Sequence, residues 1–319
     1  MNSAKAKQEI VANQSAPHNA LEDETVEMQD PSTSTPMDVI SSLPAPTQVT
    51  TTLEPERGWQ RIDLRELWRY RELLWFMAMR DVQVRYKQTV LGAAWAIIQP
   101  VMTMIVFSIF FGKFGKIPSD GFPYPIFAYT ALLPWQLFAN TLGQASNSLV
   151  SNTNLLTKVY FPRLVIPLSV ALSGLVDFCI AFVVLGFMMA YYQIVPGIGV
   201  VFLPFLLLFT LTAALAVGLW LCALNMQFRD VRYVVPFLTQ LWMFATPVAY
   251  SSTLIPEKWR LLLALNPMTG VVEGFRWALL GGKPIDLPLM AVSVVATLII
   301  LVGGLFYFRR FEAVFADLA

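Results

Sequence analysis

Residues 178–228 read FCIAFVVLGFMMAYYQIVPGIGVVFLPFLLLFTLTAALAVGLWLCALNMQF, without one Asp, Glu, Lys or Arg. A helix crosses a bilayer with about 20 apolar residues, so this run holds more than one crossing. QIVPGIG (Gln193 to Gly199) is where the chain turns between two of them, and the first of the two also takes in residues 164–177. Four other stretches are equally free of charge: 88–112, 121–157, 233–256 and 287–308. Apolar side chains make up 56% of the 319 residues and charged ones 13%, against about a quarter charged in soluble domains. The pattern is that of an all-α integral membrane protein. Six transmembrane helices are expected, over 88–111, 123–146, 164–190, 199–224, 233–251 and 287–308.

Lys and Arg in the flanks set the orientation. Arg57 to Lys87 holds eight cations, the 151–163 loop two, the 229–232 loop two, and Arg309 with Arg310 two more, all on one side of a six-span chain. The opposite side has Lys113, Lys116, an uncharged 191–198 turn and four cations over 252–286. Both termini are therefore expected in the cytoplasm. Residues 1–56 differ in kind, with nine acids against Lys5 and Lys7 in a background of Ser, Thr, Pro, Gln and Asn. They read as a disordered acidic tail, and the absence of an apolar core in the first 30 residues argues against a cleaved signal peptide. Residues 57–87 form an interface and gate segment, and 88–319 the transmembrane domain.

Several chemistries are excluded. The only histidine is His18, in the tail, so neither a His general base nor an HExxH metal site is available in the membrane. No GxxxxGK[ST] loop is present to cradle a nucleotide phosphate. Cys179 and Cys222 fall inside spans, where a thiol acts as a small apolar group. No catalytic residue, no metal and no nucleic-acid partner is expected, the chain is not expected to be an enzyme, and any energised work would draw its energy from another chain. Asp177 is the one carboxylate within a span, and an ionisable group there is costly unless paired. Two roles are open to it: a structural contact satisfied by a neighbouring helix, or a place on a transport path.

DLRELWRYRELLWFMAMRD (Asp63 to Asp81) begins with Asp63 and Glu66 at capping-box spacing. Leu64, Leu67, Trp68, Leu74, Trp75 and Ala78 recur at helical spacing, with Arg65, Arg69 and Glu72 elsewhere on the wheel. Such an amphipathic helix lies in the membrane interface, as a lipid anchor or also as part of a docking surface. The last two pieces before the sixth span, within PEKWRLLLALNPMTGVVEGFRWALLGG (Pro256 to Gly282), are interrupted at Asn266-Pro267 and are each too short to cross. Glu273 and Arg276 stand three apart there, a helical ion-pair spacing.

RDVQVRYKQTVLGAAWAIIQP (Arg80 to Pro100) resembles the start of the membrane subunit of polysaccharide-exporting ABC transporters, the type-2 permeases for lipid-linked O-antigen, capsule or teichoic acid. NLLTKVYFPR (Asn154 to Arg163), NMQFRDVRYVVPFLTQLWMFATPVAY (Asn225 to Tyr250) and LNPMTGVVEGFRWALLG (Leu265 to Gly281) resemble later stretches of the same family in order, and the likeness runs over 59–319. The resemblance implies export of a lipid-linked polysaccharide, O-antigen first, across the bacterial inner membrane. It implies two copies of this chain working with two copies of a cytoplasmic ABC ATPase, and short re-entrant helices on the outer side.

Residue roles follow from the same resemblance. Asn154, Leu155, Leu156, Lys158, Val159, Tyr160, Phe161, Pro162 and Arg163 become the segment that couples to the ATPase. Asn152 or Asn154 can cap its start, and Leu155, Leu156, Val159 and Tyr160 share a face suited to a groove. Arg80, Asp81, Arg85, Tyr86 and Lys87 become the cytoplasmic gate. A channel for sugar calls for aromatic platforms, and Trp95, Phe107, Phe111, Trp242 and Tyr250 are the lining candidates, against the alternative of packing or interfacial belt roles. A permease for a small-molecule drug shares the fold. A membrane-bound glycan-modifying enzyme would need catalytic His or paired carboxylates that the sequence lacks.

Overall fold

The computed structural model of the protein describes residues 64–87, 92–158 and 161–312. The expected tail, the Asp63 cap, the start of the first span at 88–91, and Val159 and Tyr160 lie outside these residues. Every regular element among them is helical, as lipid requires, since each backbone N–H and C=O must find its partner within the chain.

Two short helices come first, α1 (Leu64–Arg69) and α2 (Arg71–Lys87). α3 (Ala94–Phe107) continues into a π-helical turn, Ser108–Phe114. The long α4 (Tyr124–Ser151) is followed by the one-turn α5 (Thr153–Lys158). Next come α6 (Val165–Tyr191), α7 (Leu203–Gln227) behind a 3₁₀ turn at Ile198–Phe202, and α8 (Val231–Ala245). α9 (Glu257–Leu263), α10 (Pro267–Leu279) and α11 (Leu287–Glu312) complete the order.

Among the described residues, four helices are long and apolar enough to cross a membrane: Ala94–Phe114, Val165–Tyr191, Ile198–Gln227 and Leu287–Phe311. They match the expected first, third, fourth and sixth spans. The other two expected spans differ from the simple picture for separate reasons. α4 has the length, about 42 Å at 1.5 Å per residue, but its second half is rich in Gln, Asn and Ser and is covered by protein rather than lipid. α8 stops at Ala245, where Thr246 turns to extended backbone, so its 15 residues reach only about 22 Å against a core of about 30 Å.

α4 is the axis of the core. Its residues Ile126 to Trp135 are buried in succession, and α6 and α7 wrap it, with α3 and α10 closing the rest. Hydrogen bonds pin these contacts: the Tyr129 hydroxyl donates to the Ala181 carbonyl at 3.1 Å, and the Asn225 amide to the Ser146 carbonyl at 2.9 Å and Asn147 Oδ1 at 2.8 Å. Between α7 and α11 the approach is closest at Gly304. A Cβ there would stand 2.8 Å from the Ala216 carbonyl oxygen and 2.9 Å from Trp220, whose indole donates to the Ile300 carbonyl at 3.0 Å.

The interface helix departs from its sequence reading. It breaks at Tyr70 instead of running on from Asp63 to Asp81. Leu67, Tyr70, Leu73, Leu74 and Met77 pack inward on a cluster with Leu149, Phe161, Leu164 and Phe308. Trp68 and Trp75, expected on that same face, are 69% and 62% exposed, beside Phe76. Trp68 and Trp75 each follow an inward leucine by one residue, about 100° round the helix, and so turn outward, where ring and basic neighbour meet as Arg71 over Trp68 at 5.4 Å.

Asp120 gathers three connections at the far end of α4. Its carboxylate accepts from Ser251 Oγ at 2.7 Å, Thr253 Oγ1 at 3.4 Å and Lys283 Nζ at 2.5 Å. Burial raises this carboxyl, but the hydrogen bonds from Lys283 and Ser251 and the charges of Lys283 and Arg276 outweigh it, holding the group below its ordinary value of 3.8. A lowered acid stabilises the fold when ionised: its contribution is complete above 3.8 and is lost as pH falls through the lowered value.

Two measurements check this packing. Gly304→Val should destabilise the chain by about 1–3 kcal/mol through overpacking, read as a lower thermal midpoint in detergent, while Gly186→Ala, whose Cβ meets nothing within 4 Å, should change it by less than about 0.5 kcal/mol. Asp120→Asn should cost about 1–2 kcal/mol near neutral pH, with the gap to wild type closing on acidification; a gap that is constant with pH would remove the carboxylate from this account.

Candidate functional site

A polar cleft of about 230 Å³ opens among the C-terminal end of α2, the N-terminal end of α3, and the middles of α4 and α6. Its wall carries Arg85 and Tyr86 from α2, Trp95 and Gln99 from α3, Gln136, Asn140 and Gln144 from α4, and Asp177 from α6. Asp177 divides its oxygens: Oδ2 takes an ion pair from Arg85 and Oδ1 accepts from the Tyr86 hydroxyl. Arg85 also donates to Gln144 Oε1. The acid in the span is thus satisfied by a neighbouring helix, the condition under which a charge at that depth is tolerated.

The chemistry available here is hydrogen bonding without a nucleophile. Side-chain amides offer both donors and acceptors, and four of them with one indole line the cleft. Such a wall matches hydroxyl groups and exposes no group poised for bond breaking. The amides were the part that sequence reasoning missed. Their signal was present: Gln99, Gln136, Asn140 and Gln144 are polar residues inside the charge-free runs, and the four-residue spacing of Gln136, Asn140 and Gln144 marks one helix face.

Arg85, Tyr86 and Asp177 come together, and the rest of the gate segment lies alongside. Arg80 pairs with Asp81 at 2.8 Å and donates to Asn152 Oδ1 at 3.2 Å, which ties α2 to the turn between α4 and α5. Lys87 is exposed at the end of α2. Asn152 uses its amide to donate back to the Ser148 carbonyl at 2.8 Å, while its own carbonyl accepts from Leu155 and Leu156 at 3.0 and 3.2 Å. It is a joint between α4 and α5.

The expected docking face is divided. Leu155 and Leu156 are half-buried on the subunit's own cluster with Met77, Leu149 and Leu164, so those two residues face inward. Asn154 and Lys158 are the exposed positions of α5. Phe161 and Pro162 are buried, and Arg163 is half-buried, where the chain enters α6.

Of the five aromatic candidates, Trp95 is 55% exposed and lines the cleft. Phe107 is buried, edge-on to Phe111 at 5.3 Å. Trp242 packs edge-on to Phe138 at 5.1 Å and donates to Asn266 Oδ1 at 2.9 Å. The Tyr250 hydroxyl donates to the Phe244 carbonyl at 3.4 Å. Phe107 and Trp242 are therefore packing residues of the subunit, held by neighbours that also set the start of α10, where Asn266 caps Met268 at 3.1 Å. Glu273 and Arg276 pair at 3.3 Å as their spacing suggests. Arg276 does more than pair: it donates to the Val248 carbonyl at 2.8 Å and the Tyr250 carbonyl at 3.1 Å, and lies 3.7 Å over the Phe127 ring.

Comparison with known proteins places this architecture. The ABC-2 type transporter family matches residues 72–280. The O-antigen export system permease protein RfbA of Myxococcus xanthus is 36% identical over 256 residues, 78% of this chain and 96% of that protein. The protein of the same name from Klebsiella pneumoniae is 28% identical over 77% of this chain and 95% of its own length. The polysialic acid transport protein KpsM of Escherichia coli is 24% identical over 74% and 92%. With a family match across most of the described helices and a relative matched almost end to end, the chain belongs to the ABC-2 type transporter family.

Proposed function

We propose that the chain is the membrane-spanning subunit of an ABC transporter that exports a lipid-linked polysaccharide, O-antigen first, across the inner membrane. The observation that carries this reading is the 36% identity with an O-antigen export permease over 96% of that protein. The polysialic acid transporter, at 24%, favours capsule as the second reading over a small-molecule drug.

The finer architecture belongs to the same proposal. α4 and α8 complete six spans, with both termini cytoplasmic. The length of α4 supports the count, and beyond α8 the chain continues through turns at 246–250. α9 and α10, of 7 and 13 residues, are re-entrant pieces on the outer side, each too short to cross. Two copies enclose the path. In support, Val235 is the one buried residue of α8, and Phe237, Leu241 and Phe244 stand exposed on it, an apolar surface that lipid or a second copy covers. Two copies of a separate ATPase bind the nucleotide and Mg and supply the energy; this chain binds neither.

α5 is the coupling helix, presenting Asn154 and Lys158 to the ATPase while Leu155 and Leu156 anchor it to its own subunit. The Arg80–Asn152 contact joins it to α2. The cluster of Arg85, Tyr86 and Asp177 is the cytoplasmic gate, with Trp95 the aromatic platform beside it. Phe111 and Tyr250 remain candidates further along the path.

The test is reconstitution of the chain with its cognate ATPase, alongside a chromosomal deletion. Deletion should abolish surface polysaccharide, and the chain alone should hydrolyse no ATP; surface polysaccharide unchanged by deletion would end the reading. Lys158→Glu should leave folding intact and lower export about tenfold by reversing a charge at the docking rim, whereas Leu156→Asp should also lower the thermal midpoint because it places a charge in the cluster. Asp177→Ala should destabilise by about 1–3 kcal/mol through loss of the ion pair with Arg85 and the hydrogen bond from Tyr86, and Arg85→Gln added to Asp177→Asn should recover stability but not export.

A further inference from the structure

A second cleft, also of about 230 Å³, lies at the N-terminal end of α4, remote along that helix from α5. It is built from one subunit: the connection before α4, the turn at Ser252–Leu254, α9, α10, and the connection into α11. Three acids and three bases line it, Asp120, Glu273 and Asp286 against Arg260, Arg276 and Lys283, so its formal charge is zero. A cleft for a phosphate or a carboxylate would show an excess of cations; this one offers alternating donors and acceptors around a neutral interior.

The charged groups are held in place by the fold and still have capacity. Asp120 is fixed by Ser251, Thr253 and Lys283. Glu273 meets both the Ser252 amide and Arg276 through Oε1. Arg276 is 5% exposed, yet its Nε–H has no hydrogen-bond partner, and a buried donor left unmet costs about 1–3 kcal/mol. Asp286 accepts from the Leu289 amide at 3.1 Å, at the head of α11. Against these polar groups stand three aromatic side chains, Phe122, Phe127 and Trp277.

We infer that this cleft is a binding site for a single neutral sugar ring of a glycan. Vicinal hydroxyls match carboxylate and guanidinium side by side, since each hydroxyl both donates and accepts. The C–H face of a pyranose matches an aromatic plate. The volume is below the roughly 300–1,000 Å³ of sites for drug-sized ligands, which suits one ring and not an extended chain. The inference rests on the export reading for its ligand class, and it adds a fixed saccharide contact in each subunit, away from the cleft at Asp177.

The experiment uses the full chain in lipid nanodiscs. The probe is the delipidated oligosaccharide released from the host's own surface polysaccharide, with inorganic phosphate and phosphoethanolamine as competitors. Hydrogen exchange of the wild type should slow in residues 116–123 and 281–286 on adding the oligosaccharide, and saturation transfer from aromatic protons should reach the sugar. Glu273→Gln and Trp277→Leu should each weaken binding about tenfold or more, while Gly186→Ala, which meets nothing within 4 Å, leaves it unchanged. Absent protection in the wild type, displacement by phosphate or phosphoethanolamine, or affinity unchanged in both variants overturns the site. Those results with export intact would end this inference alone, whereas export unaffected by deleting the chain would end the reading beneath it.

Discussion

A helix with as many polar side chains as α4 cannot lie against hydrocarbon, and that constraint organises the rest of the subunit. Gln136, Asn140, Thr141, Gln144, Ser146, Asn147 and Ser148 follow one another from the middle of α4 to its C-terminal part. Ser146, Asn147 and Ser148 turn back on carbonyls of their own helix, but the amides of Gln136 and Asn140 would be unmet against hydrocarbon, at a cost of several kcal/mol per group. The chain resolves this by placing α4 at the centre, where α6 and α7 cover it and Asn225 meets it with an amide. What the neighbours leave uncovered becomes the cleft at Asp177. The site is thus the residue of an incomplete solution to a solvation problem, and its polarity needs no separate origin.

The same logic separates what was legible in the sequence from what was not. Spans covered largely by lipid announce themselves by composition, and α6, α7 and α11 begin and end within a few residues of the spans expected from the sequence. α4 and α8 blur for opposite reasons. The first is shielded by protein and tolerates polar residues; the second gives up its helix at Thr246, and the turn that follows is held by Arg276 through the Val248 and Tyr250 carbonyls. That clamp pairs residues 28 and 26 positions apart, and no local pattern encodes it.

Register errors have an equally concrete source. Helical spacing does not by itself say which side of the wheel faces the protein: Leu67, Tyr70, Leu74 and Met77 form one continuous stripe that packs inward, and Trp68 and Trp75, each about 100° round the helix from the leucine before it, face outward. The gate offers the converse case. Arg85, Tyr86 and Asp177 were each singled out on local grounds, one group for its flank and one for its depth, but their meeting across 91 and 92 residues is a property of packing alone.

α4 also touches everything that matters at either end: Asp120 and the far cleft precede it, while Asn152 and α5 follow it. Over most of its length, backbone hydrogen bonds make it stiff. Pro134, buried near the middle, brings no N–H and so omits one rung of that ladder. A missing rung is where a helix yields most easily, so Pro134 divides α4 into two stiff arms, one that carries Asn140 and Gln144 and one that carries the buried run from Ile126.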